Sequence, residues 1–207
     1  MKPTSFVPTV AAISPQEAAE IPGLEAVISH WTEGACSAED WFREVNAGWG
    51  TAGFVVRRGD EALGLVVYGP NDRLPRAGAY SLGPLSESAP LLAYVAGDPR
   101  TRRRLVVRML RDLKHRGVVR IEAVASDRGL PHHVPTRFLL ENGWKPVRRG
   151  WHRGSPYTLA RTDLGSAVEV GELAWDLVGR VKLPHLKAPY PAPGALARAT
   201  KPQEGRS

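Results

Sequence analysis

The stretch from residue 91 to residue 127 most narrowly constrains what this chain can fold into. Residues 91–96, "LLAYVA", are almost wholly apolar, as is typical of a strand buried on both faces. Further on, apolar positions 105, 106, 109, 110 and 113 form a single helical stripe that ends before Gly117. Residues 118–127, "VVRIEAVASD", are typical of another strand. A strand, an amphipathic helix and a second strand in this order indicate an α/β domain.

The flanking sequence predicts further short elements of both kinds. Ser14 with Pro15 is a helix-start pattern that leads into two short helical pieces, and Ser37 begins another helix. Residues 54–68 form a clear β-hairpin pattern around "RGDE". "PTRFLLEN" predicts a short helix from residue 135, and two strands around a glycine-rich turn follow it. This order favours an α/β fold with mixed strand pairing.

Composition limits the class of protein more than its function. The chain has 207 residues, of which 43% are hydrophobic and 24% charged, as in one soluble globular domain. No apolar run reaches the roughly 20 residues of a membrane helix, so we expect a cytoplasmic protein without a membrane partner. The single cysteine, Cys36, excludes an internal disulfide, and the histidine pair 132–133 lacks acids at ligand spacing, so no metal is expected.

Three segments are expected along the chain. Residues 1–164 form the main domain, and residues 165–183 form an amphipathic helical extension. Residues 184–207 are a basic, proline-rich tail that we expect to be disordered.

An arginine run, "GDPRTRRRLVVRML" at residues 97–110, lies between the buried strand and the amphipathic helix. A helix start offers free backbone N–H groups and the positive end of the helix dipole, which together bind phosphate. The net charge of +7 is compatible with nucleic acid, acidic protein or a phosphorylated cofactor. Nucleic acid, bound through residues 100–104 with Arg148, Arg149, Arg153 and the tail, is the less favoured partner.

From about Phe54 to Asp163, this order of elements resembles the GNAT superfamily of acyl-CoA-dependent N-acetyltransferases. The hairpin, the apolar strand, the following loop of arginines and "FLLENGW" fall in the positions of that family's elements. The resemblance implies a mixed, splayed β-sheet flanked by helices, with a C-terminal extension. It also implies acetyl-CoA or another acyl-CoA as co-substrate between the two central strands, without a metal. The acceptor would be an amine of a small molecule or a protein, and the chain could form a homodimer.

The resemblance also implies where the cofactor would lie. A strand N–H polarises the thioester in the family, and the phosphate loop has the pattern Arg or Gln, two residues, Gly, one residue, Gly or Ala. Neither alignment of the arginine run restores a glycine. Either the arginine side chains bind the phosphates while the amides remain available, or bulky side chains obstruct the site. The predicted cofactor-binding residues are Tyr94, Val95, Arg100, Thr101, Arg102, Arg103, Arg104, Leu105 and Val106.

The catalytic residues are less well marked by the sequence. The tyrosine that often protonates the departing thiolate in this family is replaced here by Leu139. Glu87, before the buried strand, and His132, before the helix at 135, are the candidate catalytic residues, since both residue types transfer protons. Tyr80 and Tyr157 are further candidates from neighbouring segments. The alternative is a catalytically degenerate member of the family that binds CoA or a protein without turnover.

Overall fold

The computed structural model describes residues 7–165, and the predicted helical extension and basic tail lie outside these residues. The strands are β1 (Thr9–Ala12), β2 (Gly53–Arg58), β3 (Glu61–Gly69), β4 (Leu91–Gly97), β5 (Arg120–Ser126), β6 (Val134–Pro135), β7 (Lys145–His152) and β8 (Ser155–Asp163). The α-helices are α1 (Pro15–Glu20), α2 (Leu24–Thr32), α3 (Ala38–Gly48), α4 (Pro99–His115) and α5 (Thr136–Glu141). Two 3-10 turns span Asn71–Arg73 and Pro75–Ala79.

The described strands form one mixed sheet in the order β1-β2-β3-β4-β5-β8-β7, and β6 pairs with β5 off this path. Only β4 with β5 and β5 with β6 pair in parallel; the other neighbours within this described sheet are antiparallel. The mixed α/β sheet expected from the sequence is therefore confirmed.

Strands β4 and β5 separate soon after they begin. Their single register pair joins Leu91 to Glu122. Ala93 is an extra residue in β4, because Tyr94 pairs with Val67 while Leu92 pairs with Tyr68. Such a bulge bends its strand, which accounts for the divergence from β5. The sheet is thus splayed open toward Gly97 and Ser126, as the resemblance implied.

The alternation of apolar side chains along the central strands builds a core on each face of the sheet. Helices α1, α2 and α3 cover one face, where Leu65, Val67 and Val124 are buried. Helices α4 and α5 cover the other face, where the apolar stripe of α4 packs on residues such as Val66 and Ile121.

Local signals in the sequence predicted several of these elements. Ser14 caps α1 in a capping box with Glu17, and Ser37 caps α3. The hairpin of β2 and β3 is present, and Gly117 and Gly143 have the positive φ values of left-handed helix ends. These predictions are confirmed.

Two predictions around the arginine run and the last helix need correction. The arginines do not form a loop: α4 begins at Pro99, two residues after β4 ends at Gly97, so residues 100–104 are helical. Pro135 is not the first residue of a helix, because it pairs with Ser126 in β6 and precedes α5. In both places the capping and pairing of neighbouring residues moved the helix start away from the expected position.

Candidate functional site

The opening between β4 and β5 defines the region where a site can form. Beyond Leu91, the edge of β4 that faces β5 is no longer paired with that strand. On the facing side, β6 pairs with Ala125 and Ser126 of β5, and Val134 is fully buried. Tyr94 and Val95, two predicted cofactor-binding residues, lie on β4 past this point of divergence.

The start of α4 faces this region with its backbone amides already bound. Asp98 is the N-cap, and its carboxylate accepts hydrogen bonds from the backbone N–H of Arg100 at 2.9 Å and of Thr101 at 3.3 Å. It also accepts from the Thr101 hydroxyl, and these bonds lower the pKa of the Asp98 carboxyl. The charge and the free amides that make a helix start attractive to phosphate are therefore satisfied by the chain itself.

The arginine side chains at this helix start differ in what they contact. The Arg102 guanidinium lies 5.0 Å from the centre of the Phe138 ring of α5, and Arg104 donates to the carbonyl of Pro8 at 3.2 Å. Arg100 and Arg103 make no side-chain hydrogen bond or ion pair with any residue in the 7–165 range. Arg100 and Arg103 are therefore the guanidinium groups best placed to take up an added anion.

The remaining predicted cofactor-binding residues have structural contacts. Leu105 and Val106 are buried in the core beneath α4. Thr101 packs on Gly97, whose φ is +120° and where an added Cβ would come within 2.9 Å of the Thr101 methyl group. The residues present thus fit a CoA pyrophosphate through arginine side chains and not through a backbone cradle.

A second group of side chains gathers at the end of β5, on the sheet face covered by α2. We call it the histidine–tyrosine cluster; its members are His30, Tyr80, His132, His133, His152 and Tyr157. Helix α2, the segment after the second 3-10 turn, the β5–β6 connection and the β7–β8 hairpin each contribute to it. The ring centres of neighbouring members of the cluster lie 4.6–6.3 Å apart. The structure thereby brings the predicted candidates His132, Tyr80 and Tyr157 together.

Hydrogen bonds fix how protons are arranged in this cluster. His133 Nδ1 lies 2.8 Å from the Pro131 carbonyl, which can only accept, so Nδ1 carries a hydrogen. The Tyr80 hydroxyl therefore donates to His133 Nε2, at 2.6 Å. His30 Nε2 lies 3.4 Å from the Tyr80 oxygen and must be the donor there. His30 Nδ1 is then left with a free lone pair and no partner among residues 7–165.

Burial keeps these imidazoles neutral at pH 7. It lowers the pKa of His30 to about 3, with further lowering by His133, Arg76 and His132. Burial also lowers the pKa of His133, against the opposing effect of the hydrogen bond to Pro131. Burial raises the pKa of Tyr80, so its hydroxyl keeps its proton. A neutral imidazole with a free lone pair can accept a hydrogen bond from a bound ligand.

His132 belongs to this cluster through its ring and its backbone. Its ring centre lies 5.2 Å from that of His30, and its carbonyl accepts from Trp31 Nε1 at 2.9 Å. Its φ of +63° is uncommon for a residue with a side chain and is held by these contacts. His132 is thus positioned next to His30.

Glu87 lies at the other end of the central strands. The neighbouring Ser86 donates its N–H and hydroxyl to Glu122, which is buried and paired with Arg161 at 2.7 Å. Glu122 is four residues before Ser126, a rise of roughly 13 Å along β5. Glu87 is exposed there, and the structure does not bring it to His132.

Sequence reasoning missed His30, His152 and Arg76 at this site. His30 ends a turn of α2 more than a hundred residues from His133, and no local pattern links the two. Arg76 lies in the loop "NDRLPRAG", which carries no motif. In the sequence, His30 adjoins Trp31 and His152 adjoins Trp151, which does not specify a contact between the two histidines.

Two further structural findings concern residues 7–165. No helix in this range is long and apolar enough to cross a membrane. No group of three or more histidine, cysteine or acidic side chains within the same range is arranged to hold a metal ion.

Solved structures share this architecture. The acetyltransferase yncA of Salmonella typhimurium, solved with its cofactor acetyl-CoA, matches with a TM-score of 0.55 and 13% identity over 78% of this chain and 96% of its own. An N-acetyltransferase of Staphylococcus aureus Mu50 matches with a TM-score of 0.52 and 11% identity, over 76% and 99% of the two chains. An agmatine N-acetyltransferase variant without ligand matches with a TM-score of 0.50 and 10% identity, over 75% and 99%.

These matches define the fold: the chain has the fold of the GNAT N-acetyltransferases, with the splayed sheet that the sequence resemblance implied. No family model and no curated protein matches the sequence.

Proposed function

We propose that this protein is an acyltransferase that moves an acyl group from acyl-CoA to an amine. The observation that carries the proposal is His30 Nδ1, a neutral imidazole nitrogen without a partner among residues 7–165, held beside the opening of a GNAT-type sheet. Amine acylation requires a neutral amine turned toward the thioester, and a fixed hydrogen-bond acceptor supplies that orientation.

Residues at the two ends of the opening between β4 and β5 would have different roles. Bound acyl-CoA would supply an activated thioester carbonyl. Arg100 and Arg103 would hold its phosphates by charge-assisted hydrogen bonds. His30 Nδ1 would accept a hydrogen bond from the N–H of the neutral amine and hold that amine against the thioester, because an imidazole with a pKa of about 3 is too weak a base to deprotonate an ammonium. As the C–N bond forms and the C–S bond breaks, the proton of the amine passes to the departing thiolate. Tyr80 acts as a positioning residue, because its oxygen holds the hydrogen of His30 on Nε2 and so keeps Nδ1 free.

A second function is favoured by the capped start of α4. Asp98 places a carboxylate where the phosphate would lie and takes up the first amides of the helix. This arrangement supports a GNAT-fold protein that binds CoA weakly, or binds a protein partner, without turnover. The two functions differ in whether thiol is released.

Calorimetric titration with CoA and acetyl-CoA, followed by thiol release with a panel of amines, tests both functions. For the acyltransferase we expect CoA binding that weakens in Arg100→Gln/Arg103→Gln, and kcat that falls about tenfold in His30→Leu, which removes the hydrogen-bond acceptor. His115→Leu, at the exposed end of α4, is the matched control and should retain kcat. Binding without thiol release supports the second function, and absence of binding at millimolar CoA contradicts both.

The acceptor's identity, a homodimer and a cytoplasmic location stay predictions. A salt-dependent shift of DNA in the absence of CoA binding would instead favour the nucleic-acid partner considered above.

A further inference from the structure

Arg76 is a half-buried cation without a carboxylate partner among residues 7–165. It lies in the 3-10 turn Pro75–Ala79, and within the described residues its buried Nε has no hydrogen-bond partner. Arg73, in the preceding turn, contrasts with it, because Arg73 is exposed and pairs with Glu44 at 3.0 Å. Burying part of a guanidinium without a partner is costly, and a bound anion at Arg76 would remove that cost.

Arg76 lies four residues before Tyr80, in a 3-10 turn that packs against α2, the helix that carries His30. Its positive charge lowers the pKa of His30, His133 and Tyr80, and Arg153 of the β7–β8 turn also lowers that of Tyr80. Among residues 7–165, no carboxylate contributes to the pKa shifts of these three rings. The cluster therefore lies beside cationic side chains, while burial keeps the imidazoles of His30 and His133 neutral.

We propose that this cluster binds an amine that carries a neighbouring anionic group, with Arg76 holding the anion beside His30. The carboxylate of an α-amino acid fits best, because a planar guanidinium binds a planar carboxylate through two parallel hydrogen bonds. A phosphate shares the same charge and acceptor chemistry. The amine part of this inference rests on the proposed acyl transfer, whereas the anion site depends only on Arg76 and its surroundings.

Arg76 and His30 complement each other in this arrangement. An anion bound at Arg76 would supply a counter-ion that residues 7–165 do not. Because the turn that carries Arg76 packs against α2, an amine next to that anion would lie on the side of His30. Arg76 thus selects the acceptor, and His30 Nδ1 accepts a hydrogen bond from its amine.

Matched ligands that differ in one anionic group test the proposal without any donor. Calorimetry or NMR titration compares phenylalanine with phenethylamine, and O-phosphoethanolamine with ethanolamine. We expect at least one anionic ligand to bind about tenfold or more tightly than its partner. Arg76→Gln should abolish the difference and Arg76→Lys should retain part of it, while Arg73→Gln, the matched control, should retain it fully. Thermal melts establish that each variant is folded.

The outcomes separate this inference from the proposed function. An Arg76-dependent preference without thiol release on adding acetyl-CoA supports the anion site and contradicts acyl transfer. Thiol release with phenethylamine or ethanolamine that does not depend on Arg76 supports acyl transfer and overturns the anion site. Equal binding of both members of each pair, or no binding of any of them, also overturns it. A preference for O-phosphoethanolamine alone would identify the anion as a phosphate.

Discussion

The Tyr80 hydroxyl orders the candidate site. It donates to His133 and accepts from His30, so it holds the hydrogen of His30 on Nε2 and leaves His30 Nδ1 free, while the Pro131 carbonyl holds that of His133 on Nδ1. Among residues 7–165, neither imidazole has a carboxylate to orient it, as a histidine in a catalytic triad does. A buried phenol whose pKa is raised can take that role, because it remains a donor and an acceptor at neutral pH.

Tyr80→Phe should therefore lower kcat about threefold to tenfold with little change in KM. The loss corresponds to one net hydrogen bond, since His30 would then distribute its hydrogen between both nitrogens. Stability should also fall by about 1–3 kcal/mol, because His133 Nε2 is left buried without a donor. Steady-state kinetics and the pH profile of kcat, together with urea unfolding, measure the two effects.

Tyr68→Phe is the matched control for that variant. The Tyr68 hydroxyl donates to Asp112 at 2.9 Å on the opposite face of the sheet, so its loss also removes one buried hydrogen bond. It should lower stability without altering kcat or its pH profile. If both variants lose activity in proportion to stability, Tyr80 has only a structural role.

At the level of elements, helix α4 shows how one residue changes the chemistry of a helix start. The connection from β4 to α4 consists of Asp98 alone. There is no room in it for a loop of backbone amides, and the first turn of the helix is arginine-rich and capped. The sequence left two interpretations open: arginine side chains bind the phosphates beside available amides, or bulky side chains obstruct the site. In the structure the arginines lie at the helix start, but the backbone amides of Arg100 and Thr101 are already bound by Asp98.

Asp98→Asn should tighten CoA binding about fivefold, because it removes a negative charge that repels a phosphate at this helix start across a water-like environment. Asparagine is as good an N-cap as aspartate, so stability should change little. Calorimetry with CoA at two salt concentrations measures the effect, which should shrink at high salt. Asp60→Asn, in the exposed β2–β3 turn, makes the same charge change elsewhere and should leave CoA affinity unchanged.

The elements were predictable from sequence where local chemistry alone decides them. The caps at Ser14 and Ser37, the hairpin and the stripe of α4 depend on residues within a few positions of each other. The pairing of β6 with β5 could not be predicted, because Val134 pairs with β5 through contacts that only the folded chain makes. The start of α4 was misplaced because a family pattern was given more weight than the simple cap at Asp98.

Tertiary packing forms the candidate site, so the sequence revealed little of it. His30 precedes strands β2 to β5 in the sequence, and His133 follows them. Only the packing of α2 against the end of β5 brings the two histidines together. His132 was a candidate because it is close to a predicted helix in the sequence. Arg76 has no local signature in the sequence, because its interest comes from the absence of a carboxylate partner among the residues that the structure describes.

This assembly predicts how the stability of the whole protein depends on pH. The pKa of His30 is about 3 when folded and near 6.5 when unfolded, so the unfolded chain binds more protons between these values. Stability is therefore complete above about pH 6.5 and falls as the pH decreases toward 3, with His133 acting in the same direction. From pH 7 to pH 5 we expect a loss of about 1 kcal/mol from His30, reduced from the full linkage value because the side chain is half-exposed. Urea unfolding at several pH values measures this slope, which should decrease in His30→Asn but not in His115→Asn. An equal slope in wild type and His30→Asn would mean that His30 is not held neutral by the fold.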